Sequence, residues 1–321
     1  MTKVTTQIAK YLPSPDRSIK IVCWTFFILW TAGYYLFQRP LILSAYAAYG
    51  VSDLTVLCLL LVLCLLPYSL SHRLKLDTAW YSLAFCPSMA ILAIVSNEQV
   101  GWRTVILTAA LLIVWLYLVI RRPRLHLKKI NLNLWTLITV AAVTYMAGNT
   151  DMLTHYRCRI QSHLANNDYQ EALQIGIRTD EADTAVFNLR ATAMIRTNQL
   201  ADKMFTFPVP AKTSSIAANS KYSPDIMLCN LLLQKRLNDF VRLLPHYYDI
   251  SSSTLPQHYK EALIIYMTRT ANPQIAYSNT LIEANYVEFI AEKKRYSSPA
   301  ESKYKCKDLY GNTYFWYYYF H

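Results

Sequence analysis

The stretch RRPRLHLKKINLNLWTLITVAAVTYMAGNTDMLTHYRCRI, residues 121–160, contains the two changes of composition that divide the chain. Its opening nine residues carry five basic side chains, Arg121, Arg122, Arg124, Lys128 and Lys129. An apolar run over 132–148 follows, and roughly 17 to 25 such residues cross a bilayer as a helix. Beyond Asn149 polar and apolar residues mix. Residues 1–149 hold 13 Lys+Arg against 4 Asp+Glu, and the other 172 of the 321 residues hold 19 against 16. Of the formal charge of +12, +9 therefore belongs to the apolar half. A nucleic-acid binder would carry its basic face on a folded soluble module, so nucleic acid is excluded as a partner. Membrane loops account for the charge instead.

Four more apolar runs lie at about 19–37, 53–70, 79–96 and 103–120, which gives five expected transmembrane helices and a membrane domain over 1–149. Pro87 stands near the middle of the third run and predicts a kink there. Basic residues precede the first run (Lys3, Lys10, Arg17, Lys20), separate the second from the third (Arg73, Lys75) and fill the stretch after the fourth. The positive-inside rule makes these three segments cytoplasmic. Five crossings then place residues 150–321 on the outer face of the cytoplasmic membrane. Trp24, Trp80, Trp102 and Trp135 fall near the run ends, as interfacial aromatics do. After the first run, TAGYYLF offers no small-residue cleavage site, so this run reads as an uncleaved signal anchor.

No ionisable residue occupies the middle of any run, which excludes ion-coupled transport and intramembrane proteolysis by paired carboxylates. Asp53 and Glu98, at outer ends of runs, are the only carboxylates placed to act on a lipid-linked glycan. Helix capping or marking the interface is the plainer role for Asp53. Cys23, Cys58, Cys64 and Cys86 lie in apolar runs as packing residues. Cys158, Cys229 and Cys306 show neither CxxC spacing nor an even count, so no metal is expected, and one disulfide among them stays open.

Residues 150–321 carry helical spacing with few strand signals. NNDYQEAL (166–173), RTNQLADKM (196–204), QKRLNDFVRLL (234–244) and PQHYKEAL (256–263) each set a polar turn before a large apolar residue, with a small or apolar one about three later. In helical hairpins Tyr169 and Ala172 share a face, where the small residue admits a neighbouring helix closely. Ala191 suits the same role in a preceding helix, and Leu200 and Leu237 mark the next two turns. The spacings bracket the ~34-residue tetratricopeptide period. NNDYQEAL resembles the start of the second helix of a tetratricopeptide repeat, which implies stacked helical hairpins over 150–321. The residues 208–224 and 251–259 have loop composition. Ser251, Ser252 and Ser253 with His246 or His258 read as loop chemistry. GxSxG, HExxH and Gly-rich phosphate loops are all missing, so neither catalysis nor a cofactor is expected.

The chain finishes in YGNTYFWYYYFH, where eight of the eleven residues from Tyr310 to Phe320 are aromatic. This segment is too short to span a bilayer. As a helix it puts Tyr314, Tyr317 and Tyr318 on one face. Some rings must remain outside the core, which makes Tyr314, Trp316, Tyr317, Tyr318 and Tyr319 the candidate binding residues, facing lipid headgroups or a partner. The motif YGNTYFWYYYF resembles uncharacterised bacterial inner-membrane proteins of a domain-of-unknown-function family, a resemblance that implies an architecture and no activity. The expected protein is all-α: a membrane-anchored interaction or scaffold protein whose outer helical domain binds an envelope protein or peptide. Its alternative is a component of a lipid-linked glycan transferase or transport system.

Overall fold

The computed structural model describes residues 15–45, 53–97, 101–123, 127–177, 179, 181, 183–211, 213–217 and 223–321, and every regular element among them is helical. The chain forms two compact units, Met1–His155 and Tyr156–His321. Glu98 lies outside the described residues.

The first unit is built on α1 (Pro15–Ala45), α2 (Asp53–Arg73), α4 (Trp102–Arg121) and α5 (Lys129–Ala147). All four are long and apolar enough to cross a membrane. Their outward faces are apolar as well: Leu54 and Ile120 are each 70% exposed. In water so large an apolar surface would be costly.

The expected span over 79–96 differs from the other four. Its residues form a 3-10 turn, Tyr81–Phe85, and then the ten-residue helix α3, Cys86–Val95. Together these rise about 25 Å, short of the roughly 30 Å of hydrocarbon. Most side chains in the segment are buried, with Ile91 and Ile94 turned outward, and Trp80 just ahead of it is buried too, so Trp80 packs inside and does not mark an interface. Pro87 produces no mid-helix kink. It falls in the first turn of α3, where a missing N–H removes no helical bond.

Side-chain contacts fix how this segment runs. Trp24 Nε1 donates to Tyr81 Oη at 3.1 Å, and Lys129 Nζ donates to Thr78 Oγ1 at 3.3 Å. At the same end Arg122 Nη2 donates to the Leu74 carbonyl at 2.7 Å. At the other end Tyr34 and Ser96 share a 2.9 Å hydroxyl contact, and Thr104 donates to the Ala147 carbonyl at 2.8 Å. The short segment thus runs from the end holding Lys129 to the end holding Tyr34. Asn133 clamps its start: the side-chain amide donates to the Thr78, Ala79 and Lys129 carbonyls at 2.8, 3.1 and 2.8 Å and accepts from Ser82 N–H at 2.7 Å. Trp115 Nε1 adds a bond to the Leu83 carbonyl at 2.8 Å.

The second unit begins within α6 (Met152–Ala165). It continues through α7 (Tyr169–Gln174), α8 (Thr184–Arg196), α9 (Leu200–Lys203), α10 (Pro224–Leu233) and α11 (Leu237–Leu243). These six helices form three hairpins whose turns are alike. Asn167, Asn198 and Lys235 take left-handed φ values of 62°, 53° and 56°. In each turn the following N–H reaches five residues back: Asp168 to His163, Gln199 to Met194 and Arg236 to Leu231, at 2.8 to 2.9 Å. This is the αL closure that satisfies the last carbonyls of a helix. Ala172, Ala191, Leu200 and Leu237 are buried where the hairpins pack, and Tyr169 is half-buried. PQHYKEAL does not repeat this turn. Pro256 caps α12 (Gln257–Arg269), a single buried helix entered from a loop.

The described part of 208–224 lies along the unit: Ile216 N–H donates to Asn230 Oδ1 at 2.8 Å and Ala217 N–H to Asn188 Oδ1 at 3.1 Å. Helices α13 (Thr280–Arg295), α14 (Pro299–Tyr310) and α15 (Tyr314–Phe320) complete the unit. All seven cysteines are free, so no disulfide joins Cys158, Cys229 and Cys306.

Asn133→Leu keeps the apolar character of α5 but strands the Ser82 amide and three carbonyls. Each unsatisfied group costs about 1–3 kcal/mol in a protein interior, and less where membrane neighbours substitute. Thermal melting of the detergent-solubilised chain is expected to fall by several degrees. Thr139→Val, which removes only a local hydroxyl on the same helix, should leave melting nearly unchanged.

Candidate binding site at the aromatic helix

Helix α15 is seven residues, YFWYYYF, and follows α14 through Gly311. A Cβ at Gly311 would overlap the Lys307 carbonyl, so the turn requires glycine. Thr313 caps the start, its Oγ1 accepting from Trp316 N–H at 3.3 Å.

The deeper anchor is Glu261 on α12. Its Oε2 accepts from Tyr314 N–H at 2.7 Å and from His258 Nδ1 at 3.0 Å, and its Oε1 accepts from Gln257 Nε2 at 3.0 Å. The side chains of His258 and Glu261 are each 2% exposed. A carboxylate at a helix N-terminus answers both the orphan N–H groups and the partial positive charge there. His258 Nε2 is buried with no hydrogen-bond partner among the described residues, and its ring meets Phe205 edge-on at 5.1 Å.

Two tyrosines of α15 also close the end of another helix. Tyr314 Oη donates to the Leu232 carbonyl at 3.1 Å and Tyr317 Oη to the Leu233 carbonyl at 2.8 Å. These are last-turn carbonyls of α10, which have no acceptor role within their own helix. Burial raises the Tyr314 hydroxyl well above the usual tyrosine range and pushes that of Tyr317 up to about 12. Phe205 packs on both rings at 4.9 and 4.7 Å, while Tyr286 and Phe289 hold Phe315 at 5.1 and 6.0 Å.

Of the five rings expected to bind, Tyr314 and Tyr317 are therefore core residues. Trp316, Tyr318 and Tyr319 stay half-exposed. Each has a cation over it: Lys303 lies 5.8 Å from the Trp316 ring, Arg269 and Lys235 lie 5.4 and 5.8 Å from Tyr318, and Lys293 lies 4.2 Å from Tyr319. Arg269 Nη1 also donates to Tyr318 Oη at 3.1 Å. Beside these rings a cleft of about 370 Å³ is lined by Phe207, Val209, Leu309, Trp316, Tyr317 and His321. His321 closes part of it through a 2.7 Å contact between Nε2 and the Val209 carbonyl.

The remaining candidates fall elsewhere. Asp53 is held by Arg39 through two bonds of 2.9 and 2.7 Å and accepts from Tyr35 Oη at 3.2 Å. Ser251 Oγ donates to Asp249 at 2.6 Å, and Ser252 shares a 2.7 Å contact with Thr254. His258 belongs to Glu261 instead, so the serines and His258 do not form a nucleophile-and-base pair. Asp225 accepts from Tyr248 and Tyr259 hydroxyls at 2.6 and 2.9 Å, a buried network that braces α10. The sequence pattern pointed to neither Glu261 nor the cations, and it placed His258 beside the serines of a loop instead of in a buried pair with Glu261. Glu261 and His258 had a signal, since residues 258, 261, 262 and 265 form one helical stripe, and a His and a Glu within it imply a buried pair.

Residues 217–321 match a family described as "Family of unknown function (DUF6057)". The match runs from just ahead of α10 through the whole aromatic site and leaves the first unit uncovered. No curated protein and no solved structure matches the chain.

Glu261→Ala removes a buried carboxylate while leaving His258 and the Tyr314 amide in place, a change worth about 3 kcal/mol or more. The unfolding transition of the second unit should drop accordingly, with Glu261→Gln losing less because it keeps an acceptor. Alkali gives a further check. The raised tyrosines are protonated in the folded chain and ionise in the unfolded chain near pH 10, so their contribution is complete below pH ~10 and fades up to about 12. Denaturant midpoints should fall across that window, and Tyr317→Phe should lessen the fall.

Proposed function

We propose that the chain is a membrane-anchored interaction protein. Its helical second unit stands on the outer face of the cytoplasmic membrane and binds an envelope protein or peptide. The observation that carries this reading is the half-exposed, cation-flanked ring surface of α15, set on a unit whose own core is closed beneath it. Rings with an apolar body and a polar rim are typical anchors of protein interfaces. The three like hairpins support a tetratricopeptide-like description, in which stacked pairs present one extended surface.

Orientation depends on counting the short third segment as a crossing. It connects the Lys129 end to the Tyr34 end, and α1, α2, α4 and α5 supply the other four. Irregular or short segments are tolerated at membrane depth when protein encloses them. Lys20, Arg73, Lys75, Arg121, Arg122, Lys128 and Lys129 stand at or beside the Lys129 end. The positive-inside rule makes that end cytoplasmic, and five crossings put the second unit outside. The glycan reading would draw on Asp53, whose two oxygens are already engaged by Arg39.

Alkaline phosphatase fused after residue 150 should be active and the same enzyme fused after residue 122 inactive. Inactivity at 150 overturns the orientation. With a photo-crosslinking residue at position 318 of the full-length chain in its own cells, a discrete protein adduct is expected. The same residue at exposed position 253 should give none, and equal labelling at both positions counts against the site.

A further inference from the structure

We propose that the exposed surface around α15 docks an acidic peptide segment, whose carboxylates settle among Lys235, Arg269, Lys293 and Lys303 beside the rings of Trp316, Tyr318 and Tyr319. This deepens the reading above and rests on it, because it names the chemistry of the protein partner.

The argument is one of charge left uncompensated. Arg269 and Lys303 are exposed and Lys235 and Lys293 are half-buried. None of the four belongs to an ion pair among the described residues. Burial, and after it Lys303, hold the Lys235 ammonium below the usual lysine range, and burial chiefly depresses the His321 imidazole, on which Lys235 and Lys303 also act. The surrounding sequence, residues 293–307, carries six basic residues against one acidic residue. The one carboxylate packed under α15, Glu261, is spent on His258 and the Tyr314 amide.

Lys235 adds a separate line of argument. It occupies the left-handed position of the third hairpin turn, where the first two turns have Asn167 and Asn198. Asparagine tolerates that backbone better than lysine does. The turn gains nothing from a lysine backbone, while the side chain delivers an ammonium 5.7 and 5.8 Å above Tyr317 and Tyr318.

The spacing selects the ligand. Lys235 and Arg269 share the Tyr318 ring, while Lys303 lies over Trp316 and Lys293 over Tyr319, so the four cations are spread over three rings. A string of Asp or Glu side chains meets them in turn, with its methylene stems against the rings. Such a surface steers an acidic partner and discriminates against a basic one.

The test uses the full-length protein in an uncharged detergent, with fluorescent hexaglutamate and hexaglutamine peptides read by anisotropy. Hexaglutamate should bind, and weaken as salt rises from about 50 mM to about 300 mM. Hexaglutamine should not bind. Combined Lys235→Gln, Arg269→Gln, Lys293→Gln and Lys303→Gln should weaken binding about tenfold or more, while Lys203→Gln with Arg242→Gln, equally exposed but away from the rings, changes it less than about twofold. If the fourfold variant folds poorly, Lys235→Asn serves in its place. It favours the turn backbone, so melting should hold or rise while binding weakens about threefold. The proposal is overturned if hexaglutamate binding is insensitive to these cations, if hexaglutamine binds equally, or if glycerophosphoglycerol binds the site and hexaglutamate does not, which marks a lipid headgroup site. A position-318 adduct that persists in cells without hexaglutamate binding removes this proposal and leaves the interaction reading standing. Loss of the adduct removes the interaction reading itself.

Discussion

A peptide group shut away from water must find its hydrogen bonds within the protein, and the first unit is arranged around that constraint. Four helices meet it by internal hydrogen bonding, as long apolar helices do. The segment Tyr81–Val95 opens in a five-residue 3-10 turn and continues as an α-helix of only ten residues, so it has proportionally more end groups to satisfy. Asn133 accepts from the Ser82 N–H and donates to the Thr78 and Ala79 carbonyls just ahead of the segment, and Trp115 adds a second donor to the Leu83 carbonyl. Enclosure by its neighbours relieves the segment of any need for a lipid-facing apolar length. One asparagine amide and one indole thereby fasten the start of the short segment to α5 and α4.

The second unit poses a related problem. Its central helix α12 is buried along nearly its whole length, yet it carries a carboxylate and an imidazole. Burying an unpaired charge would cost more than the fold has to offer. Glu261 avoids this by accepting from three donors, and one of these is the first N–H of α15. The polar group that is hardest to bury is thereby the one that seats the last helix. Once seated, α15 returns the favour by capping α10 through Tyr314 and Tyr317.

Much of this was legible in the sequence because it is written in local periodicities. Four apolar runs became four long helices, and the polar turns before Tyr169, Leu200 and Leu237 became three like hairpins. The fifth run failed as a long helix for a reason that hydropathy does not encode: a segment surrounded by protein need be neither long nor regular. PQHYKEAL shared the composition of a hairpin turn but not its left-handed residue, and it opens a single buried helix. The aromatic tail was recognisable as docked and amphipathic, while the sorting of its rings into Tyr314 and Tyr317 within and Trp316, Tyr318 and Tyr319 without depends on helices far back in the chain. The cations over those rings come from α13, α14, the end of α12 and a turn, positions that no short-range pattern relates.

The bonds that seat α15 join residues 53, 82 and 84 positions apart. Contacts of such separation form late, since a long loop must close before they reward the chain. During synthesis, residues 223–313 therefore exist for a time with the Leu232 and Leu233 carbonyls lacking their tyrosine donors and the Glu261 carboxylate short of one donor. That interval exposes the apolar floor on which Phe205 and Phe289 wait. The aromatic helix thus acts as the closing step of folding, and nascent chains that stall before residue 314 would present chaperones and proteases with an open domain.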